Sequence, residues 1–183
     1  MQQGVSDKGY TLVEILIVVT ILGIVALVAI PNFSSNTHKL DLAVAETVQA
    51  IRFARSEAIR TGQLCGVRVN PASDRVQLFR ITSLLPPTFA YDVRHPVDKK
   101  LYDLQFQSDQ QVRGIDISNV TFQYAAPAPS VEYLFFSDNG VPLTPNSLGG
   151  AAWMLTLGNI TLRYGNKTSM IDIAPMTGRV SVR

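Results

Sequence analysis

Between Tyr10 and Ile30 the chain holds a single charged side chain, Glu14, in the run YTLVEILIVVTILGIVALVAI. A carboxylate in so apolar a stretch is costly unless a cation meets it or it lies near lipid headgroups, and such a residue is a functional candidate by default. No Lys or Arg lies within the segment, so the natural partner is a cation of another chain or a newly made terminal amine. Elsewhere the chemistry is sparse. His38 and His95 are far apart in polar stretches, where solvated side chains are expected. One cysteine, Cys65, and two scattered histidines give no zinc spacing, so no metal and no cofactor is expected. Asp98, Asp103, Asp109 and Asp116 are spread too widely for one calcium loop. Ser137-Asp138-Asn139-Gly140 lacks the partner motifs of a serine hydrolase and is expected to be a turn. No nucleophile–base pair, phosphate loop or dinucleotide fingerprint is present, so an enzyme is not expected. Arg163, Lys167, Arg179 and Arg183 lie on the last three expected strands, where they would share an edge able to meet phosphates. Cations on such an edge also simply block aggregation.

The elements that must position these groups follow from periodicity. Residues 10–30 number 21, and about 20 apolar residues span a bilayer core as a helix. β-branched residues weaken a helix in water, but in lipid the backbone must satisfy itself, which favours helix. Pro31 predicts a kink. Beyond it Leu40, Val44, Val48, Ile51, Arg55 and Ala58, flanked by Ala43 and Ala54, recur at helical spacing, while Asp41, Glu46, Arg52, Glu57 and Arg60 lie largely off that stripe. Thr61-Gly62 ends the helix, with glycine after the last turn.

From Leu64 the period becomes two. Segments 64–69 and 75–81 flank Asn70-Pro71-Ala72-Ser73-Asp74, a hairpin pattern. Residues 83–100, with Pro86, Pro87 and Pro96, are expected to be a long loop. Further strands are expected at 101–107, 115–124, 132–136, 151–157, 160–164, 168–174 and 179–183, with Gly158-Asn159 as a two-residue loop. The fold class is therefore α+β: a long N-terminal helix packed on a mostly antiparallel sheet domain. A net charge of +2 indicates no general preference for polyanions.

Gly9, then Tyr10-Thr11-Leu12-Val13-Glu14, then the unbroken apolar run and Ala29-Ile30-Pro31, resembles the processing signature of type IV prepilins. That resemblance implies cleavage after Gly9 by a prepilin peptidase, methylation of the new N-terminus at Tyr10, and recruitment of a neighbouring subunit's amine by Glu14. The family usually has Phe where this chain has Tyr10. Residues 51–62, 134–140 and 177–183 are similar to segments of the GspH/FimT-type minor pilins, whereas 83–130 match no segment of that group. The implied organisation is a leader at 1–9, a transmembrane and assembly helix at 10–30, its amphipathic continuation at 31–62, and a β-rich periplasmic domain at 63–183. The implied role is a minor type IV pilin, held in the bacterial inner membrane by a single pass. It would then enter a pilus beside the major pilin and other minor pilins, with Glu14 and Pro31 serving assembly. Two alternatives come with the resemblance: a minor pseudopilin of type II secretion, and a DNA-binding subunit for natural transformation. DNA-binding members end in Gly-Arg-x-Arg; here Gly178-Arg179-Val180 is followed by Ser181, and the next arginine is Arg183.

Overall fold

The computed structural model describes residues 10–29, 35–84, 87–125, 132–144 and 153–183. It divides into an N-terminal unit, residues 1–34, and a second unit, residues 35–183.

In the N-terminal unit, helix α1 covers Leu12–Ala29. Thr11 caps it: the Glu14 amide donates to the Thr11 carbonyl at 3.0 Å and to Thr11 Oγ1 at 3.2 Å. Thr11-x-x-Glu14 thus has the spacing of a capping box, with the acid in the first turn, where the helix dipole favours it. Mid-helix, Thr20 Oγ1 turns back onto the carbonyls of Leu16 (2.6 Å) and Ile17 (3.0 Å).

The second unit starts with α2, Ser35–Thr61. Among the described residues ten strands follow: β1 Cys65–Asn70, β2 Arg75–Leu84, β3 Pro87–Ala90, β4 Asp103–Gln105, β5 Asp116–Tyr124, β6 Tyr133–Phe136, β7 Leu143–Thr144, β8 Trp153–Tyr164, β9 Lys167–Ile173 and β10 Val180–Val182. They form two antiparallel sheets. The first runs β3-β2-β1-β6, with β4 also on β2; the second runs β10-β9-β8-β5, with β7 also on β8. The expected stripe of α2 is the core face. Leu40, Ala43, Val44, Val48, Ile51, Ala54 and Ala58 are buried against both sheets. Thr47 is buried beside them and satisfies its hydroxyl on the Ala43 carbonyl at 2.7 Å, the usual device of a threonine inside a helix. Gly62, at φ +64°, closes the helix as expected.

Two expectations are corrected. Gly158-Asn159 is no turn: β8 runs unbroken from Trp153 to Tyr164. A Cβ at Gly158 would come within 2.9 Å of Leu155 Cδ2 and 3.1 Å of Ile173 Cβ, so the glycine serves close strand packing. The turn lies at Gly165-Asn166, between the paired Tyr164 and Lys167, with Gly165 at φ +60°. Residues 83–100 are also more than a loop. Pro87–Ala90 forms β3, an edge strand, which is where a proline can be tolerated in a sheet. Its Phe89 meets Phe79 edge-on at 5.2 Å between centroids and stacks on Tyr133 at 5.2 Å.

The connection between β3 and β5 is anchored by one turn residue. Asp74 sits in the left-handed region at φ 46°. Its Oδ1 accepts from the Ile117 amide at 2.9 Å, and its Oδ2 accepts from Gln107 Nε2 at 2.7 Å. Tyr124 joins the sheets: its hydroxyl, on β5, donates to the Tyr133 carbonyl of β6 at 2.8 Å and accepts from the Phe135 amide at 3.3 Å. Burial pushes that phenol up from its ordinary pKa.

Candidate assembly site

Helix α1 presents hydrocarbon in every direction. Each described side chain from Tyr10 to Val25 is exposed, and the large apolar ones from Leu12 to Val25 expose between 51% and 78% of their area. Tyr10 is 80% exposed, and Glu14 is exposed with no cation against it among the described residues. Such a surface in water would cost about 25 cal/mol for each Å2, so it calls for an apolar covering. Among the described residues no helix is long and apolar enough to cross a membrane. The 18 residues of α1 measure about 27 Å at 1.5 Å each, against a bilayer core of about 30 Å. Gly9, Ile30 and Pro31, which the sequence assigns to cleavage, span and kink, lie outside the described residues.

The three segments similar to minor pilins come together in the second unit, and the meeting point is Arg55. It stands on the buried stripe of α2, an unusual place for a charge. Its Nε donates to the Gly140 carbonyl at 3.0 Å. Gly140 (φ +76°) and Gly178 (φ +62°) both take conformations that suit glycine, and both lie tight against this arginine. A Cβ on Gly140 would reach Arg55 Nε at 3.1 Å, and one on Gly178 would reach Arg55 Cδ at 3.3 Å. Thus α2, the turn after β6 and the turn before β10 are pinned by one side chain.

The four basic residues at the end of the chain do not form one cluster. Arg163 points to the outer face of its sheet, across from Thr168, and pairs with Asp116 on β5, its Nη2 at 2.5 Å from Oδ2. Lys167 has the opposite parity. It faces α2, bonded to Thr37, next to Tyr164, whose ring lies 5.8 Å from Lys39 Nζ. Arg183 is ion-paired with Asp172 at 2.8 Å. Arg179 and Arg183 do extend β10 at its two ends, with the same parity as Ser181. Arg52 and Arg55, which sequence periodicity treated as helix surface and core, line a cavity with Arg179. The signal was present in the sequence as an arginine on an apolar stripe. Among the described residues, no group of three or more His, Cys, Asp or Glu is placed to hold a metal ion.

Comparison with known families fits this arrangement. The prokaryotic N-terminal methylation motif matches residues 5–30, and the model of the type II transport protein GspH matches residues 43–175. The chain belongs to the GspH family. A fimbrial protein of Pseudomonas aeruginosa is 42% identical over 60 residues, 32% of this chain and 38% of that protein. The type II secretion system core protein G of Pectobacterium carotovorum subsp. carotovorum is 42% identical over 40 residues, 22% of this chain and 26% of that protein. These matches thus span well under half of the relatives' length. Among solved structures, the minor pseudopilin EpsH of Vibrio cholerae aligns with a TM-score of 0.50 at 15% identity, over 79% of this chain and 96% of that one. That likeness concerns the fold: a helix on antiparallel sheets in a type IV pilin-like arrangement. As a GspH-family chain with a methylation motif, the protein is of the minor pilin and pseudopilin class.

Proposed function

We propose that this GspH-family chain is a minor type IV pilin: residues 10–30 hold it in the bacterial inner membrane, with the β-rich domain on the periplasmic side, until it enters a filament. The observation that carries this is the exposure of α1 on all its faces. A helix of that kind has one stable home in lipid and a second among like helices. Transfer between them keeps its hydrocarbon covered, where each large side chain is worth about 1.5–3 kcal/mol relative to water. Glu14 is the exception. It is the group that changes partner on transfer, and an incoming subunit's methylated Tyr10 amine is the cation of the right kind and place. Leaving such a charge unpaired in an apolar bundle is costly, so the pairing sets the axial position of each subunit. The same contact repeated without closing builds a filament. The prepilin peptidase supplies that amine by cutting after Gly9.

The test is mass spectrometry of protein extracted from membranes, together with sheared-filament fractions from cells lacking this chain. A start at methylated Tyr10 and altered pili are expected. An intact Met1 overturns the processing step. Normal pili with failed protein secretion would assign the subunit to a secretion pseudopilus instead.

A further inference from the structure

Along one flank of α2 two cavities adjoin at Arg52. The larger, about 550 Å3, lies between Asp41, Val44, Val48 and Gln49 of α2 and Val182 of β10. The smaller, about 340 Å3, holds Arg52, Arg55 and Arg179 around Ile59 and Val180, with no carboxylate in its lining. Arg60, Arg68, Arg75, Arg80, Arg163 and Arg183 each have a carboxylate beside them. Among the described residues Arg52, Arg55, Arg94, Arg113 and Arg179 form no ion pair, and three of these five meet in this one cavity.

Among the described residues the wall opposite α2 is a sheet edge. β10 has one neighbour, β9, among the described strands. Arg183 exchanges backbone hydrogen bonds with Met170 (2.8 and 3.0 Å), and the Arg179 carbonyl accepts from the Ala174 amide at 2.9 Å. Such pairs alternate along an antiparallel ladder, so residues 179, 181 and 183 turn their backbone groups to β9. Val180 and Val182 turn theirs outward.

We propose that this groove takes an extended, acidic segment of a partner protein, added as a strand to β10 with its carboxylate seated among Arg52, Arg55 and Arg179. From Asp41 to Ile59 the helix wall is about 27 Å long, room for about eight extended residues. An outward row of alternating N–H and C=O groups at Val180 and Val182 is what a peptide strand satisfies. The aliphatic floor of Val44, Val48 and Val182 accepts its alternate side chains. A nucleic acid backbone laid along the same path would place phosphates on hydrocarbon and then against Asp41. The inference goes beyond the filament role and does not rest on it, because binding is measured on the single chain.

The test uses the full chain in detergent micelles and a fluorescent nine-residue peptide of alternating threonine and valine ending in two aspartates. Controls are the same peptide ending in two asparagines, and two versions N-methylated at alternate residues in opposite phase. The aspartate peptide is expected to bind at least tenfold more tightly than the asparagine one. Arg52→Ala with Arg179→Ala should remove that difference. One methylation phase should abolish binding and the other spare it. Val182→Pro, which deletes an outward N–H and leaves the β9 ladder its bonds, should weaken binding without changing the circular dichroism spectrum. Equal affinity for both endings, indifference to either methylation phase, or no binding to the folded chain overturns the proposal. So does a twenty-nucleotide single strand that displaces the peptide and itself depends on Arg52 and Arg179, which would make the pocket a nucleic acid site.

Discussion

Arg55 of α2 reaches the carbonyl of Gly140, 85 positions further along the chain, through a 3.0 Å bond from Nε. That single contact fixes the turn after β6 to the helix, and Gly178 closes on the same side chain from the turn before β10. The end of α2 and both turns are therefore one structural unit, although they are distant in sequence.

Replacement of Gly178 tests that unit. A Cβ there would lie 2.9 Å from Phe136 Cε1 and 3.3 Å from Arg55 Cδ, at a φ of +62° that disfavours any L side chain. Gly178→Ala is expected to cost about 1–3 kcal/mol. Gly165→Ala, at φ +60° with nothing within 4 Å, should cost less, about 1 kcal/mol. Urea unfolding of the two variants checks the order; equal losses would mean that crowding at Arg55 contributes nothing.

Asp74 holds the long β2–β5 connection by two side-chain acceptors. Asp74→Ala leaves the Ile117 amide and Gln107 without these partners and is expected to destabilise by about 1.5–3 kcal/mol, the usual range for bonds to a charged group. Hydrogen exchange should show the loss concentrated at residues 105–118. Uniform deprotection across both sheets would contradict the anchoring.

Glu46 gives a pH signature. It lines a cavity of about 360 Å3 with Asp103 and Asp109. Burial, aided by Asp109 and opposed by His95, pushes its carboxyl above the ordinary 4.5. An acid whose pKa is raised by folding lowers stability once it ionises, so the penalty grows as pH rises from 4.5 through the raised value. Glu46→Gln should therefore raise the melting temperature at pH 7, and the gain should vanish below about pH 4. Asp103 on the same cavity behaves oppositely: burial works against it, but bonds from Arg75 and Gln105 hold its carboxyl below the usual range. A gain that stays constant from pH 4 to 8 would show that charge at Glu46 is not the cause.

At the N-terminus, capping and charge are separable. Thr11→Ala removes the hydroxyl that accepts from the Glu14 amide and is expected to cost the first turn about 1 kcal/mol. Glu14→Ala removes the carboxylate and, on the filament proposal, leaves membrane association intact while depleting the chain from sheared filaments. Quantitative blotting of both fractions decides. Equal depletion by Thr11→Ala would put the effect in helix geometry rather than in the carboxylate.

The helix stripe from Leu40 to Ala58 was legible because burial on one face enforces a 3.6-residue period over 27 residues. Alternating stretches, Val67-Arg68-Val69 in β1, Val76-Gln77-Leu78 in β2 and Met170 to Ile173 in β9, were legible for the same reason. Gly158 misled because glycine is used both for turning and for close approach, and only the neighbouring Leu155 and Ile173 distinguish the two. β3 was hidden because the sequence Pro86-Pro87 reads as a loop until β2 offers an edge to Pro87–Ala90. The pairing of Arg163 with Asp116 and of Arg183 with Asp172 spans 47 and 11 positions, and it dissolves a cluster that strand order alone suggested. Arg52 and Arg55 were visible on the helix, but their meeting with Arg179 depends on the β9–β10 turn folding back onto α2.

Thr20 carries a consequence of its own. Its one hydroxyl hydrogen is spent on the carbonyls of Leu16 and Ile17, so between Ile15 and Val25 no side chain has a free donor to offer sideways. One such apolar stretch can then slip or spin against another like it without breaking a side-chain hydrogen bond between them. Such a surface is permissive about identity and silent about position. On the filament proposal, choice of neighbour is then written in the acid of the first turn and in the folded domain, and the apolar stretch of α1 is free to be shared by unlike subunits.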